Sequence, residues 1–348
     1  MRAALFRRHG GPEVMEIGEV PTPLPGPGEV QVRVSAAALN HIDLWLRQGL
    51  PALHVPLPHV SGGDVCGVVS ALGAGVKPMA GVNEGDRVVV NPGISCGRCV
   101  ACLDGRDNFC PDYQMLGEQI WGGLAEYVVV PAANLVPAPR GSLALDDAQV
   151  AAIPIAFITA WQMLVDRAGI RQGETVLILA AGSGVGTASI QIAKLYGARV
   201  IATASTDEKL AAARALGADE TINHTVSELV AEVKRLTARR GADIVVDHVG
   251  AATFGKSVVA CARGGRIVVC GATAGYEPVL NLRHVFWRQL SILGSTLASK
   301  GCLPRILELV SAGRLRPVVD RVQPLAAIVE AHRRLESRAA FGKLVLTL

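Results

Sequence analysis

Four cysteines fall within fifteen residues: Cys96, Cys99, Cys102 and Cys110, in the run CGRCVACLDGRDNFC. The spacing is C-x2-C-x2-C-x7-C. Four thiolates carried on so short a loop, with Gly97 and Gly105 to turn it, can surround one Zn2+ tetrahedrally. All four positions would then be filled by sulfur. A closed site of that kind holds structure together and leaves no opening for water or substrate. Half of the eight cysteines lie in this segment, which argues against chance. Disulfides would need an oxidising compartment, and nothing in the chain points to one. Cys66, Cys261, Cys270 and Cys302 stand singly among apolar residues and read as small buried hydrophobes.

A second constellation is the run AAGSGVG, Ala180 to Gly186, between an apolar strand-like segment and a helix-like one. Glycines there let the backbone approach a pyrophosphate, and a helix N-terminus supplies free N–H groups and partial positive charge. The candidate contacts are Gly182, Ser183, Gly184, Val185 and Gly186. The spacing departs from G-x-G-x-x-G, because the third glycine would fall on Thr187. At the end of the next strand an acid would bind a ribose 2′-hydroxyl and repel a 2′-phosphate. The chain has Ala204-Ser205-Thr206 there, with Lys209 one turn further on. Hydroxyls plus a lysine favour NADP(H). NAD(H) stays open, because Ser205 and Glu208 have capping-box spacing and Asp207 adds a negative charge.

Two kinds of sequence must position these groups. Up to about residue 150 the chain reads as short strands: EVQVRVSAAAL alternates at period two, and DVCGVVSALG, DRVVVNPG and AEYVVVPAANLV are Val-rich and bounded by turn residues. Short strands with frequent turns indicate a barrel or sandwich. After Val150, continuous apolar strands alternate with helices, the signature of a parallel sheet covered on both faces. LDDAQVAAIPIAFITAWQMLVDRAG reads as helix, broken or kinked at Pro154. Two helical stretches follow around Leu303–Ala312 and Leu325–Ser337, and GKLVLTL closes the chain as a strand that returns to the first half. With 348 residues, 50% of them hydrophobic and 18% charged, the chain is expected to make two domains with large cores. The net charge of +4 is interspersed, which excludes a nucleic-acid or membrane patch as the organising feature. No signal-like segment is visible and the longest apolar run is short of the ~20 residues of a membrane span, so a soluble, cytoplasmic protein is expected.

Taken together, the cysteine loop, the glycine loop, Ile158-Thr159-Ala160-Trp161, VVDHVG and GKLVL resemble the zinc-type medium-chain dehydrogenase/reductase superfamily across essentially the whole chain. ALNHIDLWLRQG and AAIPIAFITAW resemble its quinone oxidoreductase-like branch. The resemblance implies an α/β fold: a GroES-like β-barrel catalytic domain (1–155 and 297–348, with a zinc lobe at 95–111) and a Rossmann dinucleotide-binding domain (156–296) with a doubly wound parallel sheet. It implies an active site in the cleft between them, and a homodimer or homotetramer that pairs the last Rossmann strand, around SILGSTL. His41, Thr159, His224, Val249, Ala272 and Thr296 join the glycine loop, Ser205 and Lys209 as cofactor contacts.

The family's catalytic-zinc ligands do not carry over. Their positions fall on Asn40, on Gly63-Asp64 and on Ile155, and the hydroxyl of the alcohol proton relay falls on Ile42. This leaves Asn40 as the expected contact for substrate or nicotinamide and Asp43 as a residue that orients the pocket. The expected activity is NADPH-dependent reduction of quinones or α,β-unsaturated carbonyls, whose developing oxygen charge hydrogen bonds can steady. Two alternatives stand beside it. One is an alcohol or aldehyde dehydrogenase with a metal site rebuilt from His41, Asp43, His59 and Asp64; the other is a non-catalytic NADPH-binding protein that kept the fold. Trp45, Leu46, Leu50, Trp121, Phe286 and Trp287 fit either an apolar pocket or the core.

Overall fold

The computed structural model describes residues 1–50, 55–76, 82–139 and 145–348. They divide into two compact units, one of Met1–Ile155 with Ser299–Leu348 and one of Ala156–Ala298.

The first unit is built around one long strand, Glu29–Ala38. Its apolar residues make it sticky on most of its length, with Val30, Val32, Ala36, Ala37 and Ala38 fully buried. One edge pairs antiparallel with Asp64–Leu72. The other edge is shared: its first half pairs with Tyr127–Pro131 and its last residues with the C-terminal strand Lys343–Thr347. The sheet runs Val319–Pro324, Lys343–Thr347, Glu29–Ala38, Asp64–Leu72, Arg87–Val90, Leu135–Pro137. Registers Ala38↔Asp64 and Ala38↔Val345 bring three distant chain segments to one end of the sheet.

That end is where the helix His41–Gln48 begins, with Asn40 as its N-cap. The helix is tied to Ile328–Glu336 by Arg47, whose side chain is fully buried. Arg47 Nη1 donates to His332 Nδ1 at 3.2 Å, Nη2 pairs with Glu336, and Nε donates to Gly10 O at 3.1 Å. A buried guanidinium is tolerated only with such a set of acceptors.

The second unit has six parallel strands: Thr175–Ile178, Arg199–Ala204, Glu220–Asn223, Ala242–Val246, Cys261–Val269 and Ser291–Gly294. In space the order is third, second, first, fourth, fifth, sixth. This is the doubly wound Rossmann order, whose reversal point between the first and fourth strands opens a ligand crevice at the carboxyl ends. The strands read as unbroken apolar runs because both faces are covered; Val176, Leu177, Ile178, Val200, Ile201 and Val245 are all fully buried.

Local differences from the sequence expectations have physical reasons. The long helix is three pieces, Asp147–Ala151, Pro154–Trp161 and a π-helical Gln162–Arg167. Pro154 opens the second piece, because a proline lacks the N–H an ongoing helix needs and suits a first turn. By length and composition Asp147–Arg167 could cross a bilayer, yet 89% of its apolar window is buried inside the fold. The helix Asp207–Ala215 is capped by Thr206, whose Oγ1 accepts from Lys209 N at 3.4 Å, so the capping role expected of Ser205 belongs to its neighbour. Cys270 is half-buried, unlike Cys66, Cys261 and Cys302.

His332 gives the fold an acid sensitivity. Burial, then the Arg47 charge, lowers its pKa to about 3. The unfolded chain, titrating near 6.5, binds the extra proton between those values, so stability is complete above about pH 6.5 and declines as pH falls toward 3. The decline reaches about 2 kcal/mol by pH 5. Asp43, raised to about 6 by burial, acts in the opposite sense: its contribution falls as pH rises from about 4 to 6. Comparing the parent with H332N, which shares Asp43 and keeps an acceptor for Arg47, isolates the histidine. The variant's melting temperature should vary less between pH 7.5 and 5 than the parent's; parallel curves would mean that His332 is not held neutral.

Candidate functional site

Three side chains from three parts of the chain meet at the end of the first unit's sheet. Asp64, fully buried, is the first residue of its strand. Its Oδ2 accepts from Lys343 Nζ at 2.8 Å and from Asn40 Nδ2 at 2.9 Å, and its Oδ1 accepts from Ile155 N at 2.7 Å. Lys343 Nζ also donates to Asn40 Oδ1 at 2.5 Å. Lys343 is 4% exposed, so this is a charge pair withdrawn from solvent. Among the described residues the second hydrogen of the Asn40 amide reaches only Ala38 O, at 3.5 Å.

Asp43 lies beside this network, 1% exposed. Its Oδ2 accepts from Asn40 N at 2.7 Å and its Oδ1 from Gly62 N at 2.9 Å. Burial is the leading cause that raises its carboxyl to about 6, against those two backbone donors and the nearby Lys343 charge. Asp43 therefore ties the turn at Gly62 to the start of the helix that carries Asn40. His41 is the first residue of that helix, its ring 6.4 Å from that of Trp45.

The residues considered for a rebuilt metal site are engaged elsewhere. His59 is fully buried, its Nε2 donating to Gly117 O at 3.1 Å. Asp43 and Asp64 are occupied as above. Among the described residues, the one group of three or more His, Cys, Asp or Glu side chains whose donor atoms converge is Cys96, Cys99, Cys102 and Cys110.

Those four sulfurs lie within 4.8 Å of one another, with Cys99–Cys102 at 3.5 Å and Cys96–Cys102 at 3.9 Å. Tetrahedral Zn–S bonds of about 2.3 Å set sulfurs about 3.8 Å apart, so the set fits zinc. The backbone N–H groups of Arg98 and Cys99 lower the Cys96 thiol to about 6, while burial and the neighbouring cysteine side chains raise that of Cys99 to about 11, so the cluster holds its charge first on Cys96. Gly97 and Gly105 take positive φ in the turns. The strand pair Gly93–Ile94 and Gln114–Met115 closes the base of the loop. Asp107 secures its side, accepting from Lys300 N at 2.9 Å and Lys300 Nζ at 3.1 Å.

In the second unit the candidate cofactor residues gather at the carboxyl ends of the strands. Gly182 to Gly186 follow the first strand, Ser205 the second, His224 the third, Val249 the fourth, Ala272 the fifth and Thr296 the sixth. Thr159 lies in the helix Pro154–Trp161, and Lys209 near the start of the helix after the second strand. Ser183 is the N-cap of Gly184–Leu195, its Oγ accepting from Gly186 N at 2.9 Å. Gly186 is the close-packing glycine despite its irregular spacing: a Cβ there would lie 2.5 Å from Ala180 O. These features fit a dinucleotide. Ser205 is exposed, and Asp207 Oδ1 accepts from Asn223 Nδ2 at 3.2 Å.

Sequence reasoning did not single out Lys343 as Asp64's partner, nor Asp247 and His248. Asp247, fully buried, accepts from Val249 N, Gly250 N, Thr253 Oγ1 and Ser257 Oγ. His248 Nε2 lies 3.0 Å from Ser183 Oγ. Of the residues that fit either an apolar pocket or the core, Phe286 and Trp287 are on the surface, 65% and 70% exposed, and Leu46 is core.

A strand-built unit with a four-thiolate lobe and a second unit of Rossmann order together define a dinucleotide-linked oxidoreductase. Residues 26–140 match the alcohol dehydrogenase GroES-like domain and residues 184–312 the zinc-binding dehydrogenase family. Human quinone oxidoreductase is 30% identical over 100% of this chain and 98% of its own. A solved structure of an NAD-dependent alcohol dehydrogenase is 57% identical over 100% of both chains, with a TM-score of 0.95. A thermostable alcohol dehydrogenase from Pyrobaculum aerophilum is 34% identical over 100% and 99%, with a TM-score of 0.89. The chain belongs to the zinc-type medium-chain dehydrogenase/reductase superfamily, in its alcohol dehydrogenase/quinone oxidoreductase branch. It is an NAD(P)-linked oxidoreductase that works by hydride transfer.

The buried pair yields a direct test. Removing one partner of such a pair strands the other charge, at about 3–5 kcal/mol. K343M should lower the thermal midpoint strongly, while K343R, which keeps the charge, should recover most of the loss. A mild effect of K343M in calorimetry would mean that Asp64 is not held as a buried carboxylate by Lys343.

Proposed function

We propose that this protein is an NADPH-dependent reductase of quinones or α,β-unsaturated carbonyls, acting without a catalytic metal and carrying one structural zinc on Cys96, Cys99, Cys102 and Cys110. The observation that carries the reading is the commitment of Asp64. Both its oxygens are taken by Lys343, Asn40 and Ile155 N, and its neighbours at the implied ligand positions, Asn40, Gly63 and Ile155, offer no thiolate or imidazole. A donor set of one neutralised carboxylate and an amide is poor for Zn2+.

The bound cofactor supplies the hydride; the protein's part is binding, orientation and charge stabilisation. Asn40 is the proposed substrate contact. One amide hydrogen is fixed on Asp64, and the other is held only by the 3.5 Å approach to Ala38 O. A bond that long is weak, so that hydrogen is available to the oxygen of an enone or quinone as negative charge builds on it. Asp43 is the proposed orienting residue, through its bonds to Asn40 N and Gly62 N. For the cofactor we propose Gly182 to Gly186 at the pyrophosphate, Ser205, Lys209 and His224 toward the adenosine end, and Thr159, Val249, Ala272 and Thr296 along the nicotinamide half. Preference for NADPH is supported by the absence of an acid at Ala204-Ser205-Thr206, by Thr206 rather than Ser205 serving as the cap, and by Asp207 being engaged with Asn223.

A second reading is alcohol oxidation with NAD+, favoured by the 57% identity to a protein described as an NAD-dependent alcohol dehydrogenase. Metal analysis paired with turnover separates the two. The first reading expects about one zinc per chain, NADPH used in preference to NADH with a quinone or an enone, and activity that survives mild chelation. Two zincs per chain, with NAD+-linked oxidation of simple alcohols lost on removing one, would establish the second reading and overturn the first.

We further propose a cytoplasmic homodimer, in keeping with eight free cysteines. Ser291–Gly294 ends the sheet and has one strand partner among the described residues. Beside it Leu282, Phe286 and Trp287 are exposed at 66%, 65% and 70%, an apolar patch suited to a second copy. Sedimentation should give twice the 36.4 kDa chain mass and a shift toward monomer for W287E; a monomeric parent would refute the dimer.

A further inference from the structure

Ser183 stands at the mouth of the dinucleotide loop with an unusual neighbour. Its Oγ accepts from Gly186 N at 2.9 Å and lies 3.0 Å from His248 Nε2. His248 follows the fourth strand and Ser183 the first, so this contact crosses the point where the strand order reverses. The histidine is held firmly. The carboxylate of the preceding residue, Asp247, accepts from Val249 N, Gly250 N, Thr253 Oγ1 and Ser257 Oγ. His248 O accepts from Thr273 N at 3.3 Å, and Val249 O from Ala274 N at 2.7 Å.

The proton on the imidazole can be placed by counting partners. His248 is 7% exposed and its Nδ1 is buried with no hydrogen-bond partner among the described residues. A hydrogen on Nδ1 would be an orphaned donor, whereas a bare nitrogen there leaves only an empty lone pair, the more tolerable defect. The hydrogen therefore sits on Nε2 and is donated to Ser183 Oγ. Burial also lowers the ring's pKa, keeping it neutral near pH 7. With Gly186 N and His248 Nε2 filling both lone pairs of Oγ, the Ser183 hydroxyl can act toward a third group only as a donor. A hydroxyl carries one donor and two acceptor sites, so its hydrogen is presented to whatever anion lies at the N-terminus of Gly184–Leu195.

We propose that His248 is a positioning residue for the dinucleotide: by donating to Ser183 Oγ it forces the serine hydroxyl to act as a donor to the cofactor's pyrophosphate. This rests on dinucleotide binding alone, not on any substrate class, and its test needs no turnover. In selectively 15N-histidine-labelled protein free of cofactor, the resonance lost in H248Q should show the Nε2–H tautomer. Fluorescence titration with NADPH should then show H248L weaker by about three- to ten-fold, one neutral hydrogen bond's worth. H248Q, whose amide N–H reaches the Nε2 position, should stay within about two-fold of the parent. S183A should bind weakly, and adding H248L to it should cost little more, because the two act through one hydroxyl. An Nδ1–H tautomer, unchanged affinity in H248L, or H248Q as weak as H248L would each overturn the proposal. A failure of the quinone and enone assays would leave these readings intact, so the two claims fall separately.

Discussion

A carboxylate removed from water must be given partners or a proton, and the first unit is arranged around that demand at Asp64. The residue opens its strand opposite Ala38, fully buried. An isolated charge there would cost several kcal/mol. The C-terminal strand meets the demand by running against the same central strand, which delivers Lys343 from 279 residues away. Asn40, at the start of the next helix, closes the triangle by donating to the carboxylate and accepting from the ammonium. Central strand, helix start and chain end are thus locked by one electrostatic requirement. The Asn40 amide is fixed as a by-product, with its orientation decided by a charge on either side.

The second unit meets the same requirement in a different way. Asp247 is as deeply buried as Asp64, yet among the described residues its bonds come from neutral donors. They are two backbone N–H groups of its own loop, the Thr253 hydroxyl at the start of the next helix and the Ser257 hydroxyl within that helix. The contrast follows from what each site must do. An ion pair spanning most of the chain ties segments together. A carboxylate wrapped by its own turn stiffens a local loop, here the one that sets His248 against Ser183. Local satisfaction keeps the sheet's carboxyl edge free of a fixed countercharge where a dinucleotide binds, and leaves the helix N-terminus as the positive end of the site.

This difference explains what could be read from the chain in advance. The covered parallel sheet was legible because each strand is a continuous apolar run and each helix follows within a few residues, so local pattern and global fold agree; the spatial order of its strands leaves no such local trace. The cysteine lobe was legible because its ligands are close in sequence. Gly186 was legible as part of a glycine loop despite its spacing; why it must be glycine became clear only from Ala180 O lying where its Cβ would be. Asp64–Lys343 was not legible, because strand pairing at long range leaves no periodic trace, and a lysine in an apolar strand looks like any other edge residue. Thr206 taking the cap from Ser205 was a one-residue shift that propensity does not resolve, since serine and threonine are both good caps.

The cysteine cluster and the cluster at Asn40, Asp64 and Lys343 have different standing. The four thiolates make a closed set at zinc-like separations, tethered by Lys300 to the body of their unit, an arrangement with no open position for a substrate. At Asn40, Asp64 and Lys343 the positive charge is an ammonium supplied by the chain itself, hydrogen-bonded at fixed distances. A metal offers a vacant coordination position to an alcohol oxygen; a lysine with two of its donors already committed offers only a field and one remaining hydrogen. In the proposed reduction such a field would act on the charge that builds on the oxygen of a conjugated acceptor. There Lys343 would be more than a counterion to Asp64: neutralising the carboxylate would keep negative charge from repelling the oxygen on which charge builds.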